Sequence, residues 1–239
     1  MTSEMKIKRR VKKIISPVLI FLIKRYLNKE RAYSYEGIRV IVLPGIFHPG
    51  LFFSTKILLN HLAKYDLCGK KVLELGAGSG LISIYCQKKG ASVTASDISE
   101  KVVKNLYLNS GINNAPIKII HSDLFDNISD CDFNFIIINP PYFAKDPIVE
   151  SDYAWNCGRD FQYYRKLFLQ LEKFQNKKII ILMILSDDCP IDEIQMIAKN
   201  NNYNLRPVSE IKNWLEVNFI YSIECQMQIE HQLKKGNQV

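Results

Sequence analysis

The tetrapeptide Asn139-Pro140-Pro141-Tyr142 directly follows the apolar run 133–138, and it restricts how this part of the chain can fold. Two consecutive prolines have fixed φ angles and no N–H, so a strand that reaches them must end there. Pro140 also keeps Asn139 in an extended conformation. The tetrapeptide therefore predicts a stiff turn at the tip of a buried strand.

A second motif, the glycine loop Gly76-Ala77-Gly78-Ser79-Gly80, lies upstream and follows the apolar segment 71–75. The chain around it alternates between short apolar segments and segments with helical spacing. We predict strands at 71–75, 92–96, 117–121, 133–138, 178–185 and 218–227, and helices at 81–89, 100–108, 161–174 and 191–200. A hairpin at 33–42 and a helix at 54–64 precede them. This alternation is typical of the α/β class, with a doubly wound, mostly parallel sheet.

Four groups of unusual residues come where predicted strands end. They are Gly76–Gly80, Asp97, Asp123 and Asn139–Tyr142. Ligands of doubly wound sheets bind beyond the carboxyl ends of the strands. The sequence therefore predicts one ligand site at this edge of the sheet.

The first part of that site has the features of a nucleoside-binding site. Asp97 comes 21 residues after Gly76, where an acid can hold two ribose hydroxyls. A dinucleotide fits poorly, because Leu81 stands where the third glycine of its motif would be, and the loop lacks a P-loop lysine. Glu74 would repel a pyrophosphate but would suit a cationic ligand. S-adenosylmethionine has the ribose, the positive charges and no phosphate.

The segment Val72-Leu73-Glu74-Leu75-Gly76-Ala77-Gly78-Ser79-Gly80 resembles the first motif of class I S-adenosylmethionine-dependent methyltransferases. The resemblance implies a Rossmann-like fold with a seven-stranded sheet. It implies that Asp97 binds the ribose and that Asp123 accepts a hydrogen bond from the adenine amino group. The full set of cofactor-binding residues that we predict is Glu74, Gly76, Gly78, Gly80, Asp97, Asp123 and Asn139.

The proline corner is suited to holding a flat amino group. The side-chain oxygen of Asn139 and the carbonyl of Pro140 can each accept one N–H of a planar –NH2 group, and Tyr142 offers a flat face for stacking. We predict Asn139, Pro140 and Tyr142 as catalytic residues, and Pro141 and Tyr142 as substrate-binding residues. The motif resembles that of amino-methyltransferases acting on glutamine amide, adenine N6 or guanine N2. It indicates the group methylated, not the molecule that carries it.

Residues 154–160, followed by Tyr164-Arg165, resemble the segment after the proline corner in HemK-like methyltransferases. That family methylates the glutamine of the Gly-Gly-Gln tripeptide in release factors. Three features depart from the family pattern: Cys157 replaces a glycine, an acid is missing before Thr55, and a short basic segment replaces the helical substrate domain. The resemblance implies a protein glutamine as the preferred acceptor. An amino group of RNA, bound through the basic residues 1–31, is the alternative. A third interpretation is a non-catalytic, membrane-tethered adaptor.

Charge is concentrated at the N-terminus. Residues 1–31 hold ten basic and two acidic side chains, so their net charge is +8. This equals the net charge of the whole chain, and the charges of residues 32–239 sum to zero. Residues 5–30 predict a basic amphipathic helix whose apolar centre is too short to span a bilayer. Three interpretations remain open: packing on its own domain, lying on anionic lipid, or docking to RNA or protein.

These patterns also predict the organisation and setting of the chain. We expect a basic helical segment at 1–31, a methyltransferase domain at 32–229 and a tail at 230–239, with the domain divided into a lead-in at 32–68 and a core at 69–229. The six cysteines are scattered without a C-x-x-C pair, which favours reduced thiols in the cytoplasm. A peripheral location at the inner membrane face would follow from the lipid interpretation. The four histidines lack ligand spacing, so we expect no metal.

Overall fold

The computed structural model describes residues 25–175, 177–213 and 216–226. The strands are β1 Arg31–Tyr35, β2 Ile38–Val42, β3 Lys71–Leu75, β4 Ser92–Asp97, β5 Lys118–His121, β6 Phe135–Ile138, β7 Ile180–Ser186, β8 Tyr203–Lys212 and β9 Val217–Cys225. The helices are α1 Phe53–Leu62, α2 Leu81–Lys88, α3 Glu100–Ile112, α4 Gln162–Gln170 and α5 Ile191–Asn200. Short 3-10 helices span Glu150–Ala154 and Leu171–Phe174.

A seven-stranded sheet in the order β5-β4-β3-β6-β7-β9-β8 forms the centre of the molecule. The first five strands of that order are parallel, and β9 runs antiparallel to both β7 and β8. The predicted doubly wound, mostly parallel sheet is confirmed. The order reverses between β3 and β6, which is where ligands bind in such folds.

The strand β6 shows how the sheet separates two hydrophobic cores. Successive side chains of a strand point to opposite faces. Phe135 and Ile137 pack in the core shared with α2, α3 and the hairpin, whereas Ile136 and Ile138 pack in the core shared with α4 and α5. All four are buried. A strand covered on both faces needs this continuous apolar sequence. Because β6 is packed on both sides, it holds the proline corner at its end rigidly.

The hairpin is held against α3 by a row of asparagines. The hairpin predicted at 33–42 is confirmed, and its turn lies at Glu36-Gly37, where both φ angles are positive, as a tight hairpin turn requires. Asn109 Oδ1 accepts a hydrogen bond from Ile41 N at 2.8 Å, and its Nδ2 donates to Ile41 O at 2.8 Å. Asn113, four residues on, does the same with the N and O of Arg39. The hairpin is thereby fixed, and with it the start of the loop between β2 and α1.

The sequence did not predict β8. This strand lies at the sheet edge, has alternating exposure and contains Pro207, next to an irregularity in its pairing with β9. Proline is tolerated at such edges because no partner needs its N–H. The helix predicted at 161–174 ends at Gln170 and continues as a 3-10 turn.

The predicted N-terminal helix lies mostly outside the described residues, which begin at 25. The same holds for the tail at 230–239, so the proposed segment boundaries and the lipid interpretation stay predictions. Within the part of the chain that the structure describes, no helix is long and apolar enough to cross a membrane.

Candidate functional site

A cavity of about 600 Å³ opens beyond the carboxyl ends of the central strands. It brings together residues that are far apart in the sequence. The predicted site residues that line it are Glu74, Gly76, Gly78, Asp97, Asp123, Asn139, Pro140, Pro141 and Tyr142. Gly80 does not line the cavity. It precedes α2 with a φ of +78°, and a Cβ built there would lie 2.7 Å from Leu106 Cδ2. Glycine is therefore needed here for close packing against α3.

The glycine loop forms one wall of the cavity. Gly76 and Gly78 both have positive φ angles, +68° and +53°, which favour glycine. A Cβ built on Gly76 meets no protein atom within 4 Å. The backbone is thus bare beside the cavity, and a ligand can approach it closely.

Asp97 connects the end of β4 to this loop. Its Oδ2 accepts a hydrogen bond from Gly78 N, and its Oδ1 accepts one from Ser99 N, each at 3.1 Å. Burial raises the pKa of Asp97, and the two backbone hydrogen bonds oppose that rise. Each carboxylate oxygen can accept a further bond. The residue therefore fits a ligand that offers two neighbouring hydroxyl groups, as the ribose of S-adenosylmethionine does.

Glu74 lies deeper in the same wall and is 4% exposed. Ser83 Oγ donates a hydrogen bond to its Oε2. Burial raises the pKa of Glu74 to about 8, although the bonds from Ser83 oppose the change. The side chain is therefore largely protonated at neutral pH, and a cation bound nearby would favour its ionised form.

Asp123 lies at the mouth of the cavity and carries an ion pair that the sequence did not reveal. Its Oδ2 accepts from Lys166 Nζ at 2.5 Å, and the same lysine contacts Asp126 Oδ2 at 2.6 Å. The Asp123 side chain is 44% exposed. Its second oxygen is the one suited to accept from an adenine amino group. Tyr163 also lines this end of the cavity. Burial is the main cause of its raised pKa, and the charges of Asp97 and Asp123 raise it further.

The proline corner holds its asparagine between two hydroxyl groups. Asn139 Nδ2 donates to Ser54 Oγ at 3.3 Å, and Tyr142 OH donates to Asn139 Oδ1 at 3.3 Å. The corner itself is anchored because the buried Tyr164 hydroxyl donates to Pro141 O at 3.0 Å. The Asn139 side chain therefore lines the cavity in a defined orientation. Sequence reasoning missed the contact with Ser54, which comes from α1, 85 residues away.

Three aromatic rings form a further part of the lining, and of these the sequence indicated only Trp155, within the segment 154–160. The rings of Phe47 and Phe52 stack with centroids 4.8 Å apart, and Trp155 packs against both at 5.3 and 4.9 Å. Trp155 is positioned by backbone pairing, because Phe143 N donates to Trp155 O at 2.8 Å. Cys157, where the HemK-like pattern has glycine, is buried beside this pairing and also lines the cavity.

A family model described as methyltransferase small domain matches residues 37–156, which is half of the chain. The chain belongs to the methyltransferase small domain family. This membership and the sheet order place it among class I S-adenosylmethionine-dependent methyltransferases, as the glycine loop indicated. Within the described residues, no cluster of three or more His, Cys, Asp or Glu side chains could hold a metal ion.

The names of three curated relatives indicate different methyl acceptors. A Methanocaldococcus jannaschii protein provisionally named protein N5-glutamine methyltransferase is 38% identical over 52% of this chain and 64% of its own length. A release factor glutamine methyltransferase of Lactococcus lactis is 40% identical over 38% of this chain and 34% of its own. A ribosomal RNA small subunit methyltransferase C of Actinobacillus pleuropneumoniae is 25% identical over 73% and 53%. The chain spans less than two thirds of each relative's length.

Solved structures of methyltransferases share the fold. The Mtq2–Trm112 complex of E. cuniculi, which methylates the termination factor eRF1, matches with a TM-score of 0.56 at 18% identity, over 76% of this chain and 99% of that one. The T. thermophilus 16S rRNA N2 G1207 methyltransferase, solved with AdoMet and guanosine, matches with a TM-score of 0.56 at 17% identity, over 82% and 50%. At such identities the similarity concerns the fold alone.

Proposed function

We propose that this protein is an S-adenosylmethionine-dependent N-methyltransferase that acts on a planar amide or amino nitrogen, with a protein glutamine as the preferred acceptor. The observation that supports this most is the position of Asn139. Its side chain, held by Ser54 and Tyr142, lines the same cavity as the glycine loop and Asp97.

The cofactor would be held by the wall made of β3, β4 and their loops. Gly76 and Gly78 leave room for close approach, and Asp97 can accept from two ribose hydroxyls. Asp123 would accept from the adenine amino group and Glu74 would interact with the positively charged end. When bound, S-adenosylmethionine supplies an electrophilic methyl group on its sulfonium sulfur.

The acceptor nitrogen would be held by the proline corner. Asn139 Oδ1 already accepts from Tyr142 OH and retains a second lone pair. That lone pair and the Pro140 carbonyl would each accept one N–H of the acceptor, which orients the nitrogen for attack. Such positioning can supply a large share of a rate enhancement without a strong base. The Tyr142 hydroxyl, whose pKa is raised mainly by burial, stays protonated and acts as a donor.

The charges around the cavity favour a protein acceptor. Apart from Glu74, which is largely protonated at neutral pH, the acidic residues that line it are Asp97, Asp123, Asp146, Glu150, Asp188 and Glu216, against two lysines, Lys101 and Lys166. Lys166 is engaged by Asp123 and Asp126, and Lys101 donates to Pro44 O. A cavity with this balance repels the phosphates of a polynucleotide. The similarity to two glutamine methyltransferases supports the same acceptor.

RNA is the second candidate acceptor. It is favoured by the similarity to the ribosomal RNA methyltransferase and by the charge of residues 1–31, which could bind a phosphate backbone.

The same segment is the proposed contact with anionic lipid. Deletion of residues 1–28 should abolish co-sedimentation with anionic liposomes, and an intact protein that never co-sediments contradicts the lipid contact.

Labelling of a cell lysate tests the proposal. The purified protein and tritiated S-adenosylmethionine are incubated with a ribosome-depleted protein fraction or with total RNA. Label in the protein fraction, located on glutamine by mass spectrometry, supports the proposal. Label confined to RNA supports the second candidate, and failure to bind S-adenosylmethionine in calorimetry contradicts both.

A further inference from the structure

The cavity extends past the proline corner to the end of β7 and the start of β9. Ser186, the last residue of β7, is paired in register with Asn218 near the start of β9. Asp188 follows β7, and Glu216 precedes β9. All four line the cavity, and the predicted cofactor residues and acceptor corner include none of them. In the sheet order, β6 with its corner lies between this end and the glycine loop after β3. This end is therefore on the acceptor side.

Asn218 supplies the observation that points to a ligand. The residue is 0% exposed, and its Nδ2 donates to Glu216 Oε1 at 2.9 Å. That contact fixes which end of the amide is the oxygen, because two oxygens would repel each other. Asn218 Oδ1 is buried and has no hydrogen-bond partner in the described structure. An unpartnered buried acceptor is costly, so the cavity wall is suited to a ligand that brings a donor.

Two carboxylates that line this end of the cavity favour a ligand donor that carries a positive charge. Burial is the main cause of the raised pKa of Tyr142, and the charges of Glu216 and Asp188 also raise it. Both acids are therefore electrostatically close to the hydroxyl that holds Asn139. The lysines that line the cavity are engaged elsewhere, Lys166 by Asp123 and Lys101 by Pro44 O. A positively charged donor is what such a surface attracts.

We propose that Ser186, Asp188, Glu216 and Asn218 form a subsite for a basic side chain, lysine or arginine, of the protein that carries the methylated glutamine. The inference rests on the proposed function, because it presumes a protein acceptor. The cation would lie against the two carboxylates while the glutamine amide lies against Asn139, and a turn of the buried Asn218 side chain toward the cavity would bring its Oδ1 to the donor. The subsite would thus select acceptor sequences by charge, and it would disfavour a phosphate in the same position.

Binding of synthetic peptides to the full-length protein tests this subsite directly. Each peptide contains Gly-Gly-Gln and carries lysine, norleucine or glutamate at one of the four positions within two residues of the tripeptide. Affinities are measured by calorimetry in the presence of S-adenosylhomocysteine. At one position we expect lysine to bind about tenfold more tightly than norleucine, a typical effect of a close charge pair, and glutamate to bind more weakly still.

Three variants make the test specific. Glu216→Gln and Asp188→Asn keep the shape of the side chain and remove the charge, so each should remove most of the lysine preference while norleucine peptides bind as before. Glu210→Gln is the matched control, because Glu210 lies on β8, pairs with Lys212 and does not line the cavity. It should retain the full preference. Circular dichroism of each variant confirms that it is folded.

The outcomes separate the subsite from the proposed function. Equal affinity for the three peptides at every position, no binding of any peptide, or a preference that survives both variants overturns the subsite. Methyl transfer to the peptides is measured in parallel. A lysine preference without methyl transfer would retain the subsite and reject glutamine as the acceptor, whereas methyl transfer without any preference would reject the subsite alone.

Discussion

The Tyr142 hydroxyl donates a hydrogen bond to Asn139 Oδ1 at 3.3 Å, while Ser54 Oγ accepts from the other end of the same amide. The asparagine is thus held at both ends before any acceptor binds. Tyr142 was expected to stack on the acceptor, and that role stays a prediction. Its hydroxyl has a second role in our account, which is to orient the residue that receives the acceptor nitrogen.

Tyr142→Phe tests this orienting role. The variant keeps the ring and removes the donor, and a neutral hydrogen bond contributes about 1 kcal/mol, so kcat should fall about fivefold to tenfold. Affinity for S-adenosylmethionine should stay unchanged. Steady-state methyl transfer and calorimetry measure the two. Tyr107→Phe, on the exposed surface of α3, is the control, and an unaltered kcat in Tyr142→Phe would show that the hydroxyl has no such role.

Asp97→Asn tests the cofactor wall. The substitution keeps the size of the side chain but loses a charged acceptor, and hydrogen bonds to charged groups contribute about 1.5–3 kcal/mol, so S-adenosylmethionine should bind about tenfold more weakly or worse. Calorimetry of the cofactor alone measures this. Asp192→Asn, in the exposed first turn of α5, should bind normally. Normal binding by Asp97→Asn would remove the residue from the proposed cofactor set.

Glu74 predicts a specific dependence of stability on pH. Its pKa is raised in the folded state to about 8 by burial, so the folded state binds more protons than the unfolded state between the two pKa values. The free energy of unfolding should therefore decrease as pH rises through that window, by about 1.4 kcal/mol per pH unit for this group. Glu74→Gln cannot ionise. Its stability relative to the wild type should rise from pH 5 to pH 8 in urea unfolding, and a constant difference contradicts the assignment.

Gly80 and Gly37 form a matched pair for backbone strain. Both have φ angles near +78°, but a Cβ on Gly80 would lie 2.7 Å from Leu106 Cδ2, whereas one on Gly37 meets nothing within 4 Å. Alanine is strained at both positions, by about 1–2 kcal/mol. Gly80→Ala should therefore lower the free energy of unfolding more than Gly37→Ala does. Equal losses in chemical unfolding would show that Leu106 moves aside without cost.

Features set by local sequence were predictable. The apolar run of β6, the double proline after it and the glycine loop each determine their own conformation, because fixed φ angles and strand burial are properties of neighbouring residues. The strand–helix alternation then placed Asp97 and Asn139 at one edge of the sheet. The edge strand β8 was missed because its polar, proline-containing sequence lacks that apolar pattern.

Contacts between distant segments were not predictable. Ser54 reaches Asn139 across 85 residues, and Lys166 reaches Asp123 across 43. Asn218 lines the cavity because β9 runs antiparallel to β7, which brings the start of β9 to the end of β7. A single sequence carries no local signal for such pairings. The aromatic group of Phe47, Phe52 and Trp155 depends on loop packing in the same way.

The central claim is that Asn139 orients the acceptor nitrogen next to the cofactor site, and single-turnover methyl transfer by Asn139→Ala tests it most directly. The variant should bind S-adenosylmethionine within about threefold of the wild type and transfer methyl about a hundredfold more slowly, because misplacement of an acceptor can cost that much. Asn204→Ala, exposed on β8, should react normally. Transfer at the full rate by Asn139→Ala would contradict the account.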